Sequence, residues 1–188
     1  MASAVPVVSD IVPTDGWRIY TVADAMPRFD PATYRLRVTG LVEQPLDLSW
    51  ADLAALHAER QRSDFHCVTG WTVRGVTWDG IRPSALLARA RPRPEARYAT
   101  IVSMEEPYVD QLSLEQLALP DVLLATGQDG RPLERQHGAP VRLVIPEMYG
   151  YKNVKWVSEV RLVARAEDGY WEQRGYDVDA WVGRSNGL

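Results

Sequence analysis

The sequence predicts an α+β fold, a mixed and mainly β single domain, on three observations. Short stretches rich in branched residues recur along the chain and are separated by glycine and proline. Helix signals are few, and each covers only a short segment. The 188 residues, 46% of them hydrophobic, suffice for one sizeable core. We therefore expect residues 1–188 to form one domain, with its core over about residues 17–176.

Local patterns predict each element in turn. Tyr34, Leu36 and Val38 alternate with polar neighbours, which is typical of a half-buried strand. Ser49 is a suitable N-cap for a short helix that runs to about residue 57. The later predictions are a helix with proline in its first turn at 83–87, a strand at 98–103, a capped helix at 113–116, strands at 122–125 and 141–145, a turn at 129–130, and a strand at 154–164.

Composition and charge narrow the class of protein. The net charge is −4 and no basic tract is interleaved with aromatic residues, which argues against nucleic-acid binding. No apolar stretch approaches the roughly 18 residues that a membrane span needs. The first residues lack the charged and apolar regions of a secretory signal. We expect a soluble protein, cytoplasmic on the sequence as given, or exported if a signal segment has been trimmed.

Cys67 is the only cysteine in the chain, so an internal disulfide is excluded. A lone thiol can serve as an inert core residue, a nucleophile or a soft metal ligand. His66 is adjacent, but neighbours on a strand point to opposite faces, which makes a His66–Cys67 catalytic pair geometrically poor. An unrelated β domain with a buried thiol is one alternative at this point.

Three segments in order carry a family resemblance. They read F-H-C-V-T-G-W at 65–71, H-G-A-P-V-R at 137–142 and Y-G-Y-K-N-V-K-W at 149–156. Together with the early strand at 34–42, they resemble the molybdenum-cofactor domain of the sulfite oxidase family. That family includes sulfite oxidases, plant-type nitrate reductases and the catalytic subunit of a bacterial methionine-sulfoxide reductase. The resemblance implies the sulfite oxidase molybdopterin-binding fold and a molybdopterin-dependent oxidoreductase with Mo-molybdopterin as cofactor.

The resemblance also implies a set of site residues. Cys67 would be the catalytic residue and would ligate molybdenum through its thiolate. Arg142 and Lys155 would bind the pterin phosphate, for which a planar cationic fork and a compact charge are suited. Separately from the resemblance, Trp71 and Tyr108 are either walls of the pocket, for which aromatic groups supply rigid apolar surface, or ordinary core residues. The full set of implied cofactor-binding residues is Tyr20, Thr21, Cys67, Ser103, His137, Arg142, Asn153, Val154 and Lys155, with the backbone contributing at Asn153 and Val154.

Departures from the family pattern bear on the substrate. Sulfite oxidases place an arginine in a C-x-G-N-R setting, whereas the first arginine after Cys67 here is Arg74. The segment looks closer to the C-V-E-x-W of the methionine-sulfoxide reductase branch, with Thr69 in place of the glutamate. We expect oxygen-atom transfer or two-electron redox on a small or sulfoxide-type substrate, with a separate protein or small carrier as electron donor or acceptor. The alternative is a degenerate family member that acts as a non-catalytic binding or assembly module.

Overall fold

The computed structural model describes residues 12–13 and 16–184, and within them the fold is mainly β, as predicted. The strands of this part are β1 (Val12–Pro13), β2 (Arg35–Gly40), β3 (Leu46–Ser49), β4 (Glu59–Cys67), β5 (Trp71–Ile81), β6 (Tyr98–Ser103), β7 (Val109–Ser113), β8 (Leu123–Gln128), β9 (Arg131–Pro132), β10 (Arg142–Val144) and β11 (Val157–Val163). The α-helices are α1 (Trp50–Ala54), α2 (Pro83–Ala90) and α3 (Leu114–Leu117).

The strands form two sheets that share a core. One sheet has the order β1-β5-β8-β10, with β4 paired to β5 and β9 paired to β8. The other has the order β3-β2-β11-β6-β7, in which β2 and β11 run parallel. Leu36 and Ile101 from the second sheet and Leu143 from the first are fully buried in one continuous hydrophobic cluster. The two sheets therefore fold around the same apolar interior.

The hairpin of β4 and β5 is the longest strand pairing, and the local patterns do not predict it as a unit. β4 is built largely of polar residues and is exposed or half-buried throughout, so it lacks the alternation that marks a strand. Residues 68–70 form the turn, where Gly70 donates its N–H to the Cys67 carbonyl at 3.0 Å. Gly70 has φ +89°, a backbone conformation that favours glycine. The turn places Cys67 opposite Trp71.

Two serines begin helices as predicted. Ser49 and Ser113 each form a capping box with the third helical residue, Asp52 and Gln116 respectively. The predicted extension of α1 to residue 57 is wrong, because the helix ends at Ala54. Only Leu53 of this helix is buried, so a longer helix would gain little from packing.

The strand predicted at 154–164 begins later, at Val157. Trp156 has φ +53°, a left-handed conformation that cannot continue a strand. Its indole N–H donates to the Arg135 carbonyl at 2.8 Å, which fixes this break in the buried interior. Lys155 is thereby removed from the sheet and placed beside the turn at Gly138.

A buried ion cluster attaches the C-terminal segment to the second sheet. The Lys152 ammonium lies 2.7 Å from an Asp110 oxygen and also contacts the Glu172 carboxylate closely. Burial alone would lower the pKa of Lys152, but the two carboxylates together raise it. This contact holds the segment that carries Trp171 and Tyr176 against β7.

Candidate functional site

A cavity of about 290 Å³ lies between segments that are distant in the sequence. Residues 17–22 form one wall, the end of the β4–β5 hairpin another, and the H-G-A-P-V-R and Y-G-Y-K-N-V-K-W segments a third. Trp171 and Tyr176 contribute to the lining from the C-terminal side. The three segments that carry the family resemblance therefore meet at one cavity.

Cys67 lies at the end of β4 and contributes to the cavity lining. It is a free, half-buried thiol whose Sγ is 3.2 Å from the Thr69 hydroxyl. His66 Nδ1 instead lies 2.9 Å from the hydroxyl of Thr72 on the neighbouring strand. Burial lowers the pKa of His66. The structure thus gives Cys67 no histidine partner among its adjacent residues.

Arg142 brings a buried positive charge to the cavity from β10. Its guanidinium donates to the carbonyls of His137 at 3.2 Å and Asn153 at 3.4 Å, while Nε has no hydrogen-bond partner in the described part of the chain. No carboxylate among the described residues forms an ion pair with it. Burial lowers the pKa of Arg142 to about 10. A buried cation without a counter-ion is suited to an anionic ligand.

His137 and Gly138 form the turn next to this charge. His137 Nδ1 is buried without a hydrogen-bond partner among the described residues, and its ring packs edge-on to Trp17 at 4.9 Å. Burial and the nearby Arg142 charge lower the pKa of His137. Gly138 has φ +107°, and a Cβ there would lie 2.9 Å from Lys155 Cβ and 3.1 Å from Arg142 Cβ. Glycine is therefore needed for the two cationic side chains to approach one another.

Lys155 contributes the second charge. Its ammonium donates to the carbonyls of Tyr20 at 2.6 Å and Gln136 at 3.3 Å, and it lies 4.1 Å from the centre of the Trp156 ring. Burial and repulsion from Arg142 lower the pKa of Lys155 to about 8. An anion bound between Lys155 and Arg142 would offset the repulsion between the two cations and raise the pKa of Lys155.

The titration of Lys155 gives a direct prediction. The chain has only two lysines, so a protein with labelled lysine ε-groups should show two side-chain signals by nuclear magnetic resonance. One should titrate near pH 8 in the cofactor-free protein, because the pKa of Lys155 is lowered, while Lys152 should titrate above the ordinary range of lysine. Between pH 8 and the ordinary lysine pKa, Lys155 is neutral in the folded state but still protonated in the unfolded state. The free energy of unfolding should therefore rise with pH over this range.

Anion binding should show the opposite pH dependence. Inorganic phosphate should bind more weakly as the pH rises past 8, because Lys155 loses its charge there. Lys155→Met should remove this dependence and serves to assign the signal. If neither lysine signal titrates near pH 8 in the cofactor-free protein, the electrostatic description of this site is wrong.

Three more of the predicted site residues lie at the cavity. Tyr20, Thr21 and Asn153 line the cavity, as do the expected wall residues Trp71 and Tyr108. The Asn153 amide is bonded to backbone groups, including the N–H of Ile145 at 2.7 Å.

Ser103 and Val154 are not among the lining residues. The Ser103 hydroxyl donates to the Lys155 carbonyl at 2.8 Å, and Val154 is buried with its N–H bonded to the Lys152 carbonyl at 3.0 Å. The cofactor contacts implied for these two residues stay predictions.

Sequence reasoning missed several lining residues. Trp17 packs 4.8 Å from Phe65, and Arg18 also lines the cavity, yet both belong to a segment without strand or helix periodicity. Trp171 and Tyr176 lie in a similar segment near the other end. The high tryptophan content, seven in the chain, was the one available signal.

The lining of the cavity combines positive charge with apolar surface. None of its described residues is acidic, three are cationic, and most of the rest are aromatic or aliphatic. Such a lining fits a planar anionic cofactor held by Arg142 and Lys155, with one soft thiolate at the wall. The unpartnered nitrogen atoms of Arg142 and His137 agree with that requirement.

Comparison with known proteins identifies the family. The sequence model described as the oxidoreductase molybdopterin binding domain matches residues 23–171. The chain belongs to this family. Membership confirms the resemblance, the molybdopterin-dependent oxidoreductase class and the molybdopterin cofactor.

Several relatives are similar over most of the chain. An uncharacterized oxidoreductase, YuiH of Bacillus subtilis (strain 168), is 34% identical over 154 residues, which is 81% of this chain and 77% of that protein. The protein-methionine-sulfoxide reductase catalytic subunit MsrP of Gluconobacter oxydans is 32% identical, covering 79% of this chain and 53% of that protein. MsrP of Xanthomonas campestris pv. campestris is 31% identical, covering 73% and 47% respectively. The chain thus spans about half the length of these reductases.

A solved structure shares the fold. The sulfane dehydrogenase SoxCD from Paracoccus pantotrophus aligns with a TM-score of 0.69 and 26% identity, over 75% of this chain and 41% of that one. The likeness to this structure and the strand content confirm the predicted mainly β fold.

None of the three α-helices in the described part of the chain has the length and apolar character that a bilayer span requires.

Proposed function

We propose that the chain reduces a sulfoxide by oxygen-atom transfer, with molybdenum held by the Cys67 thiolate. Molybdenum on its pterin supplies two-electron and oxygen-atom transfer when bound. The observation that carries the proposal is the meeting of Cys67 with the uncompensated Arg142 charge in one cavity. A thiolate and a phosphate-binding cation are the two contacts that such a cofactor asks of the protein.

The chain's own residues have distinct tasks in this proposal. Arg142 and Lys155 bind the cofactor phosphate, and the buried imidazole of His137 supplies a further hydrogen bond. Trp17, Phe65 and Trp71 pack together beside Cys67 with ring centres 4.8–6.3 Å apart. These rings exclude water from the cysteine side of the cavity and so strengthen the electrostatic contacts there.

The substrate is inferred from two lines of support. Relatives at 31–32% identity are named methionine-sulfoxide reductases. Arg74 is exposed and does not line the cavity, so the stretch after Cys67 supplies no arginine to it. Arg18 does reach the lining from the N-terminal side, but it is exposed and stays hydrated. A sulfite dianion would therefore lack a buried counter-charge of its own, which favours a neutral sulfoxide.

Steady-state kinetics test this preference. With an artificial electron donor, a neutral sulfoxide should be reduced efficiently, whereas sulfite with an artificial acceptor should be oxidised slowly. Efficient sulfite oxidation without sulfoxide reduction would show that the inference from Arg74 is wrong. In that case Arg18→Ala should abolish the sulfite activity, since Arg18 is the remaining lining arginine outside the proposed phosphate site.

The electron partner and the binding-module alternative are tested together. We propose a separate redox protein or small carrier as the source of electrons. Protein produced in a cofactor-competent host should contain about one molybdenum per chain and turn over with a reduced dye. A folded protein that takes up no molybdenum would support the alternative, a non-catalytic binding or assembly module.

A further inference from the structure

The N-terminal wall of the cavity is a segment without sheet pairing, residues 17–23, which we call the strap. Six consecutive strap residues, 17–22, line the cavity, and they include the implied cofactor residues Tyr20 and Thr21. The strap has no ladder of backbone hydrogen bonds to hold it. Its position must therefore depend on a few specific contacts.

One of these contacts is made by a buried carboxylate. Glu105 follows β6 and is only 4% exposed. Its Oε1 accepts hydrogen bonds from the backbone N–H groups of Val22 at 2.8 Å and Ala23 at 3.3 Å. Among the described residues, no cation forms an ion pair with Glu105, so this carboxylate is committed to the strap backbone.

Glu105 is itself held by the residues behind the cavity. Its N–H donates to the Ser103 hydroxyl at 2.9 Å, and that hydroxyl donates to the Lys155 carbonyl at 2.8 Å. The Glu105 carbonyl accepts from the N–H of Tyr108 at 2.7 Å. The Lys155 ammonium links this hydrogen-bond network back to the strap by donating to the Tyr20 carbonyl at 2.6 Å.

We propose that Glu105 is a positioning residue that fixes the strap, and with it Tyr20, Thr21 and the Lys155 side chain, in the arrangement that receives the cofactor. Two backbone donors on one rigidly held carboxylate define the path of the strap more closely than apolar contacts do. Ser103 does not line the cavity, but its hydroxyl bonds to the backbone of both Glu105 and Lys155 and so fixes their relative positions. The cofactor part of this inference rests on the proposed function, whereas the strap part does not.

Two conservative substitutions distinguish the effect of the position of the Glu105 side-chain oxygen from the effect of its charge. Glu105→Gln keeps an oxygen at the same reach and removes the charge, whereas Glu105→Asp keeps the charge and withdraws it by one methylene. A positioning role predicts that the glutamine variant resembles the wild type and that the aspartate variant loosens the strap. A purely electrostatic role predicts the reverse order. Glu43→Gln and Glu43→Asp, at an exposed residue that does not line the cavity, are matched controls.

Hydrogen exchange of the cofactor-free protein measures the strap directly. The amides of Val22 and Ala23 should exchange about tenfold to hundredfold faster in Glu105→Asp, the range for losing a hydrogen bond to a charged acceptor. Exchange in Glu105→Gln should be less than about tenfold faster, because a neutral oxygen keeps both hydrogen bonds at lower strength, and both controls should match the wild type. The Lys155 signal should nevertheless move to a lower midpoint in Glu105→Gln, because the Glu105 charge raises the pKa of that lysine.

Cofactor occupancy supplies the second readout. Molybdopterin released per chain should fall in Glu105→Asp and be retained in Glu105→Gln. Wild-type exchange rates in Glu105→Asp would overturn the proposal, as would full occupancy despite a loosened strap. If the wild-type protein itself binds no molybdopterin, the proposed function fails, and the exchange experiment still decides whether Glu105 holds the strap.

Discussion

Cys67→Ser should abolish turnover while leaving the fold intact. Cys67 is the only thiol in the chain, so no other side chain can supply a thiolate to the metal. Serine is close in size, and the side-chain hydrogen bond of the sulfur among the described residues is to the Thr69 hydroxyl at 3.2 Å. The loss of activity should exceed the about 10–100-fold cost of removing an outer partner of a metal ligand. Thermal unfolding of the cofactor-free variant should match that of the wild type.

Activity per bound molybdenum is the quantity to compare. X-ray absorption of the loaded variant should show one sulfur ligand fewer than in the wild type. Thr69→Val is the matched control, since it removes the hydroxyl beside the sulfur but keeps the thiol. Its loss should stay within the outer-partner range of about 10–100-fold. A Cys67→Ser protein with wild-type activity per molybdenum would refute ligation by Cys67.

Arg142→Met should change cofactor affinity and stability in opposite directions. In the cofactor-free protein the Arg142 guanidinium is buried, has no counter-ion among the described residues, and has a pKa lowered to about 10. Burying a charge without a counter-ion is costly, and an apolar side chain of similar length removes that cost at the loss of two long hydrogen bonds to backbone carbonyls. The cofactor-free variant should therefore unfold at or above the wild-type temperature.

The loaded protein should behave in the opposite way. Loss of a charge-assisted contact costs about 1.5–3 kcal/mol, so the affinity for molybdopterin should fall about tenfold to hundredfold. The thermal stabilisation that the cofactor confers should shrink accordingly. Arg131→Met, at an exposed position in β9, should leave both quantities unchanged. Full occupancy with lost activity would move Arg142 from phosphate binding toward the reacting metal.

Much of the architecture could be predicted from local sequence patterns. Leu36 and Val38 alternate with exposed residues, and Ser49 and Ser113 are followed three residues later by capping side chains. The turn at Asp129 and Gly130 requires positive φ at both positions, and the structure has φ values of +51° and +76° there. These features depend on neighbouring residues alone, so a single sequence determines them.

The family and the central residue were also determined by the sequence. Cys67 needed no structure to stand out, because no other cysteine exists in the chain. Arg142 is flanked in the sequence by apolar residues, and its side chain is only 3% exposed in the structure. What surrounds that charge could not be predicted, because its neighbours come from distant segments.

Tertiary structure alone decided how the cavity is assembled. Trp17 reaches His137 across the fold, and Glu105 accepts from Val22, a residue 83 positions earlier in the chain. Lys155 leaves its predicted strand because Trp156 adopts a left-handed conformation, which no local pattern announces. Periodicity reports which face of an element is buried, whereas contacts between irregular segments follow from the packing of the whole chain. The sequence by itself therefore determined the family, the thiol and several of the strands, and only the folded chain determined which groups line the cavity.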